Sequence, residues 1–506
     1  MGEIDNMIED KVKVMVVEPK KEDRELYIRL LSTLNELEIE GVVSGKEAFE
    51  KIKKSPPDIL VADIHIPDID GVELCRRLKS DPDSELYEIY VIIVSDKKGK
   101  DEKIKCMSEG ADDYLTKPID PDELIARVKV ASRIAMHTKR TELEYKKMFS
   151  KIDVLLIQEG GCAPGYNPVT AFITYHLESM GRKVYATKEG FRSLVNGRDE
   201  DFVRLVYDPE LYKKLDHIPG VIHVAPLSEA PGALLRGERF PDFVKKELQK
   251  KAAENILERE VKVIVAIGGN GTFKGISSLC DFLPTGIQIF FVPVTIDSDI
   301  AGTECIGENT GIEMGAEKIR RYMADARTHK RVYIIEMMGA SSGFHALHSC
   351  LGARAHLAVL PNSKIDHKKV VEAINKREDG CVIVVAEGYK REERKKKGLN
   401  AAEYFYQELL ATGIPIKRRV VCEPFSRDIR GAPPNNQDIT LAQRMAYNVA
   451  RYIKAGASRL MPAVSSGREY AIPFSEIKID NIVEEDLLVL SDRLTNRNYM
   501  EQEDED

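Results

Sequence analysis

Three oxygen-bearing side chains, Thr295, Asp297 and Asp299, stand on alternate residues of the segment PVTIDSDIAGTE. In an extended segment alternate residues share one face, so a hydroxyl and two carboxylates would converge there. One carboxylate can take a proton from an attacking hydroxyl while the other helps hold a cation on donor phosphates, as phosphoryl transfer to a sugar hydroxyl requires. Just upstream, IGGNGT at 267–272 follows an apolar, strand-like run at 261–267 and opens a helical pattern from Thr272. Its amides and the positive end of the helix suit an anion. A lone Gly-Gly-x-Gly turn, or an aspartate at a strand end, is often only a turn or a cap. The order, spacing and strand context of the two loops carry the reading of a phosphate seat beside a proton-accepting acid.

Other segments repeat this chemistry. QEGGCAPGYN follows the apolar run 152–157 and offers a second glycine turn at Gly160 and Gly161. In RGERFPDF, Arg236 and Arg239 flank a glycine, and in FSRDIRGAPP, Arg427 and Arg430 precede a Gly-Ala turn and a helix. The planar fork of arginine suits phosphate oxygens. EMMGASSG ends a strand pattern at Met338 and Gly339, and CVIVVAEG ends another at Glu387, an acid placed to accept hydrogen bonds from sugar hydroxyls.

In this order the segments resemble the 6-phosphofructokinase family, across residues 152–487. The resemblance implies a two-lobed Rossmann-like α/β fold with the site in the cleft between the lobes. It implies ATP at Gly161, Arg239, Gly268, Asn270, Gly271 and Thr272. Fructose 6-phosphate would lie at Thr295, Arg331, Met338, Gly339, Glu387, Arg427 and Arg430. Asp297 would be the base, supported by Thr295 and Asp299, with Asp299 and Asn270 beside Mg2+. Arg331 matches an arginine that reaches the sugar phosphate of a neighbouring subunit, implying a homo-oligomer, dimer or tetramer. Pyrophosphate-using relatives carry aspartate at the place of Gly271 and lysine at the place of Val294, so the chain leans to ATP, with pyrophosphate the alternative donor. Asn270 stands in the place of an acid, Ala340 in that of an arginine and Arg427 in that of a histidine. Asn270 and Ala340 motivate a second reading, a sugar-phosphate or nucleotide sensor with little turnover.

The first 135 residues carry a separate set. Apolar runs at 12–17, 59–62 and 91–94 alternate with amphipathic helical stretches, the pattern of a parallel sheet covered on both faces. Working groups collect at the carboxyl ends of such strands, where Glu18, Asp63 and Ser95 fall, with Lys117 after a short run at 114–116. PDILVADIHIPDIDG, VIIVS and GADDYLTKP resemble a two-component receiver domain, which implies a flavodoxin-like fold. Asp63 would accept a phosphoryl group from a histidine kinase or phosphotransfer partner. Ser95 and Lys117 would hold its oxygens, Tyr114 would follow the switch, and Glu18 and Asp63 would bind the metal. Receivers usually have two adjacent acids after the first strand. Pro19 fills the second place and offers no carboxylate, so metal binding and phosphorylation should be weaker.

The elements that must position these groups are legible in outline. Residues 121–148 have no glycine and no proline after Pro121, and apolar residues from Leu124 to Ala135, Val130 and Ile134 among them, recur at helical spacing. The division expected is an N-terminal extension 1–11, a receiver domain 12–135, a helical connector 136–150, a phosphofructokinase-like domain 151–487 and an acidic tail 488–506. The 506 residues suit several domains, and 43% hydrophobic residues suffice for sizeable cores. A net charge of -8 leaves no basic footprint for nucleic acid. No signal-peptide pattern or membrane-length apolar run occurs, and the eight cysteines are scattered, so a cytoplasmic protein with reduced thiols is expected.

Overall fold

The computed structural model describes residues 11–82, 84–96, 100–235, 237, 239–424, 427–479, 481, 483, 487 and 490–495. The chain forms two compact units, Met1–Lys146 and Lys147–Asp506.

In the first unit, strands β1 (Val12–Val17), β2 (Leu37–Val42), β3 (Ile59–Asp63), β4 (Tyr90–Ser95) and β5 (Asp113–Thr116) form one sheet in the order β2-β1-β3-β4-β5. Every pairing is parallel. Strand β3, ILVAD, is buried throughout, as expected of a strand covered on both faces. Asp63 and Ser95 are the last residues of their strands, which run one residue beyond the apolar runs. The registers Val17 with Ala62 and Asp63 with Val94 bring the carboxyl ends of β1, β3 and β4 to one edge. The helix Pro121–Ser150 buries Leu124, Val128 and Ala131. Val130 and Ile134 are exposed, because at 100° per residue they lie off that stripe.

The second unit holds a large sheet and a small one. Strands β6 (Val154–Glu159), β7 (Val184–Thr187), β8 (Phe202–Val206), β9 (Val221–His223), β10 (Val263–Gly268) and β11 (Gln288–Pro293) build the large sheet. Strands β12 (Val332–Met337), β13 (Leu357–Val359), β14 (Cys381–Ala386) and β15 (Val420–Pro424) form the small sheet, in the order β13-β14-β12-β15. The helix Asn436–Lys454 then returns the chain to the large sheet, where β16 (Leu460–Ser465) and β17 (Arg468–Pro473) add an antiparallel hairpin. The full order is β17-β16-β11-β10-β6-β7-β8-β9. This hairpin has no counterpart in the sequence reading. One apolar cluster includes Val265 and Phe290 of the large sheet, Ile335 and Val384 of the small one, and Ala446 of the returning helix, so the lobes share a core.

Register decides where the site falls. Gly268 pairs with Glu159 on one side and Pro293 on the other, so β6, β10 and β11 end together. In the small sheet Met337 pairs with Ala386, which sets Met338 and Glu387 side by side. Buried Asp438 accepts a bond from the Thr310 amide at 2.8 Å, tying the helix Asn436–Lys454 to the helix Glu308–His329 between the lobes. Among the described residues no helix is long and apolar enough to cross a membrane.

Candidate active site

The two glycine turns are fastened to each other. A Cβ on Gly268 would lie 2.2 Å from Thr272 Oγ1 and 2.4 Å from the Glu159 carbonyl oxygen, so the close approach requires glycine. Thr272 Oγ1 donates to that carbonyl at 2.8 Å and the Tyr166 hydroxyl donates to it at 2.9 Å. The helix begins at Asn270, two residues earlier than expected, with Asn270 half-buried at its first position. A side chain on Gly271 would meet nothing within 4 Å, so open space faces the helix start.

After β11 the chain does not stay extended. Ser298 adopts a left-handed conformation, φ +50°, and the alternation expected to put Thr295, Asp297 and Asp299 on one face ends there. Thr295 is buried, and its hydroxyl accepts a bond from the Asp297 amide at 3.0 Å. Asp299 is buried, its carbonyl held by the Asn481 amide at 3.2 Å. Asp297 is half-buried, and its Oδ1 is enclosed without a hydrogen-bond partner among the described residues. The Ser342 hydroxyl reaches the carbonyl oxygens of Asp297 and Gly339, so the small-sheet turn at Met338 and Gly339 is tied to the Asp297 loop.

Cations gather around this carboxylate. Burial pushes the Asp297 carboxyl above the usual aspartate range, against the pull of Arg430, His345, Arg239 and Arg391 in that order. Burial also raises Glu387, helped by Asp297 and opposed by Arg391 and Arg430. A Cβ on Gly161 would stand 2.7 Å from Arg430 Nη1 and 3.7 Å from Arg239 Nη2, so both arginines arrive over the first glycine turn. Neither forms an ion pair among the described residues, and Arg430 Nε is buried without a hydrogen-bond partner. A cavity of about 240 Å³ opens beside them, lined in part by Gly160, Gly161, Cys162, Tyr166 and Gly237. An acid flanked by arginines and two glycine turns can hold a polyanion and remove a proton from a group beside it.

Gly161, Arg239, Gly268, Thr272, Thr295, Asp297, Met338, Gly339, Glu387 and Arg430 thus form one neighbourhood. Arg331 does not join it: it precedes β12, at the end opposite Met338, and lies 3.8 Å from Asp325. Arg236 and the side chain of Arg427 lie outside the described residues.

Three further residues escaped the sequence reading. His345 is fully buried against the loop, its pKa lowered by burial, and in FHALHSC it reads as an ordinary helix residue. Arg391 lies four residues beyond Glu387, the only signal it offered, in a charged run that reads as a solvated face. Glu159 accepts the amides of Phe191 at 2.9 Å and Phe240 at 3.0 Å, which fixes the segment carrying Arg239.

In the first unit, the Lys117 ammonium bonds the Asp63 carboxylate and lies 2.7 Å from Glu18 Oε2 and 3.8 Å from Asp23 Oδ2. Burial would lower the Lys117 pKa, but the bonds to Asp63 and Glu18 raise it overall. Burial raises Glu18 despite its bond to Lys117. Ser95 donates to Glu102 at 2.8 Å, and the Tyr114 hydroxyl lies 3.4 Å from the same carboxylate oxygen. Glu18, Asp63 and Lys117 therefore meet directly, and Ser95 and Tyr114 both reach Glu102.

A receiver-type parallel sheet, followed by two α/β lobes with glycine turns and arginines at their shared edge, defines a two-module phosphate-handling protein. The phosphofructokinase family profile matches residues 153–453, more than half of the chain, and the response regulator receiver profile matches residues 14–129. The chain belongs to the phosphofructokinase family and carries a receiver domain ahead of it. It is 31% identical to an ATP-dependent 6-phosphofructokinase of Aquifex aeolicus over 241 residues, 47% of this chain and 69% of that protein. It is 29% identical to ATP-dependent 6-phosphofructokinase 1 of Thermus thermophilus over 322 residues, 63% of this chain and 91% of that protein. Its fold matches a phosphofructokinase structure from Saccharomyces cerevisiae with TM-score 0.53 and 18% identity, over 64% of this chain and 44% of that one. The chain thus spans less than half of the yeast protein. A pyrophosphate-dependent phosphofructokinase from Nitrosospira multiformis matches with TM-score 0.54 and 17% identity, over 66% of this chain and 86% of that one.

Proposed function

We propose that the chain transfers the terminal phosphoryl group of ATP to fructose 6-phosphate, with Asp297 as the base, and that the receiver domain adjusts this activity. The observation that carries the reading is the enclosed Oδ1 of Asp297, which has no hydrogen-bond partner among the described residues while the charges of Arg430, Arg239 and Arg391 act on its carboxylate. A carboxylate whose pKa is raised by burial is a stronger proton acceptor once ionised. The acceptor hydroxyl gives its proton to Asp297 as its oxygen attacks the terminal phosphorus of ATP, the bond from that phosphorus to the bridging oxygen breaks to release ADP, and the arginines would stabilise the charge that develops.

ATP, rather than pyrophosphate, is supported by the open space at Gly271 and by the names of the two bacterial relatives. Mg2+ takes one or two carboxylates together with phosphate oxygens and water. The buried acid Asp299, with Asn270 at the helix start, fits that modest donor set, and the ion would neutralise charge on the donor phosphates. Glu387 and Arg430 would orient the sugar phosphate, and Gly161, Arg239, Gly268 and Thr272 the donor. Arg331, outside this neighbourhood, would serve the site of a neighbouring copy, making the working form a homo-oligomer. In the receiver, Asp63 would take a phosphoryl group from a histidine kinase or similar partner. Glu18 would hold Mg2+ with Asp63, and Ser95, Tyr114 and Lys117 would respond to the new charge. The protein would work in the cytoplasm.

A second reading, a binding module with weak turnover, is favoured by Asn270 and Ala340. Neither brings a charge to the site, and Ala340 sits in the left-handed region at φ +47°. Calorimetry with ATP and with fructose 6-phosphate, combined with a turnover assay, separates the two: binding without turnover supports the second, and binding of neither overturns both.

A further inference from the structure

Of the first three cations after Glu387, two are committed within the protein. Lys390 pairs with Glu408 at 2.6 Å, and Arg394 donates to the carbonyls of Glu387 and Leu399. Arg391 is different: among the described residues its only ion pair is a long one, 3.8 Å from Glu387 Oε1, and its side chain is 44% exposed. Its charge nevertheless bears on both Asp297 and Glu387. The backbone explains how it arrives there. A Cβ on Gly388 would lie 2.6 Å from the Ala340 carbonyl oxygen and 3.0 Å from Ser341 Cα, so the segment that begins at Glu387 presses against the turn tied to Asp297.

We propose that Arg391 is a substrate-binding residue of the acceptor half, whose guanidinium takes an anionic oxygen of the phosphorylated sugar while Glu387 accepts a hydroxyl of the same molecule. The assignment rests on the proposed function and adds to it a residue that no resemblance supplied. A guanidinium held 3.8 Å from one acid, and partly open to solvent, keeps most of its donors for a ligand. Removing one charged hydrogen bond to a bound anion costs about 10- to 100-fold in affinity.

The test uses the full chain, with fructose 6-phosphate binding measured by calorimetry and turnover measured separately. Arg391→Ala should weaken fructose 6-phosphate about 10- to 100-fold and raise its KM to match. Its KM for ATP should stay unchanged, and Arg391→Lys should recover part of the loss. The same substitution made in a Glu387→Gln background separates ligand binding from simple neutralisation of Glu387. A loss that persists there supports the proposal; a loss that disappears overturns it. If the unaltered protein binds fructose 6-phosphate and turns it over while Arg391→Ala binds equally well, the Arg391 assignment alone falls. If the unaltered protein binds neither substrate, the proposed function falls first.

Discussion

Arg430 holds a guanidinium nitrogen 2.7 Å from the point where a side chain on Gly161 would begin, although 269 positions separate them in sequence. The contact joins the first glycine turn of the large lobe to the 3₁₀ turn Arg427–Gly431 that follows the small sheet. Gly161 keeps open a space that a charged side chain from elsewhere occupies. Gly161→Ala should therefore displace Arg430, the flexible partner, rather than the backbone. The expected outcome is a KM for the sugar phosphate raised about 10-fold or more, the scale of one lost charged hydrogen bond, with an unchanged denaturation midpoint. Steady-state kinetics beside a urea titration checks both halves.

Gly268 should behave in the opposite way. Its Cβ would strike Thr272 and the Glu159 carbonyl, parts of the fastened turn rather than a free side-chain end. Gly268→Ala is expected to cost about 1–3 kcal/mol of stability, the usual range for overpacking a filled site. A urea titration of the variant would show no shift if the turn could relax.

The raised pKa of Asp297 carries a pH signature. Its folded pKa lies above its unfolded one, so the ionised form is a cost to the fold that is fully present above the folded pKa and vanishes below the unfolded one. Asp297→Asn should thus melt no lower than the unaltered protein at pH 8, and any advantage should shrink as the pH falls through the aspartate range. For the same reason the acid limb of the rate profile should lie above the ordinary aspartate pKa. Scanning calorimetry from pH 4 to 8 tests the first expectation, and a pH–rate profile the second.

The receiver makes its own prediction. Pro19 supplies no carboxylate, and a further acid, Asp23, lies 3.8 Å from the Lys117 ammonium. Pro19→Asp should tighten Mg2+ binding and speed phosphorylation of Asp63 by a small-molecule phosphodonor, and Asp63→Asn should abolish labelling. Equal labelling of the Pro19→Asp and unaltered proteins would mean that Asp23, or another group, already meets the need.

Much of this arrangement was legible because strands buried on both faces declare themselves as apolar runs, and their ends mark where chemistry collects. The runs ahead of Asp63, Gly268 and Glu387 fixed those positions to within a residue. What escaped depended on backbone turns and distant packing. The left-handed turn at Ser298 breaks the alternation inferred for Thr295, Asp297 and Asp299, and serine carries no sign of it in one dimension. His345 and Arg391 act on Asp297 because the small lobe folds its turn against the loop, a relation set by the pairing of β12 with β14 and not by local spacing.

The central claim, that Asp297 accepts the proton of a sugar hydroxyl, is tested most directly by coupled assay of fructose 1,6-bisphosphate formation from ATP, magnesium and fructose 6-phosphate. The unaltered full-length chain and Asp297→Asn are compared at saturating substrates. The account predicts a kcat lower in the variant by about 10²–10⁴-fold, the usual contribution of a general base, with both KM values changed little. Equal rates in the two proteins would contradict it.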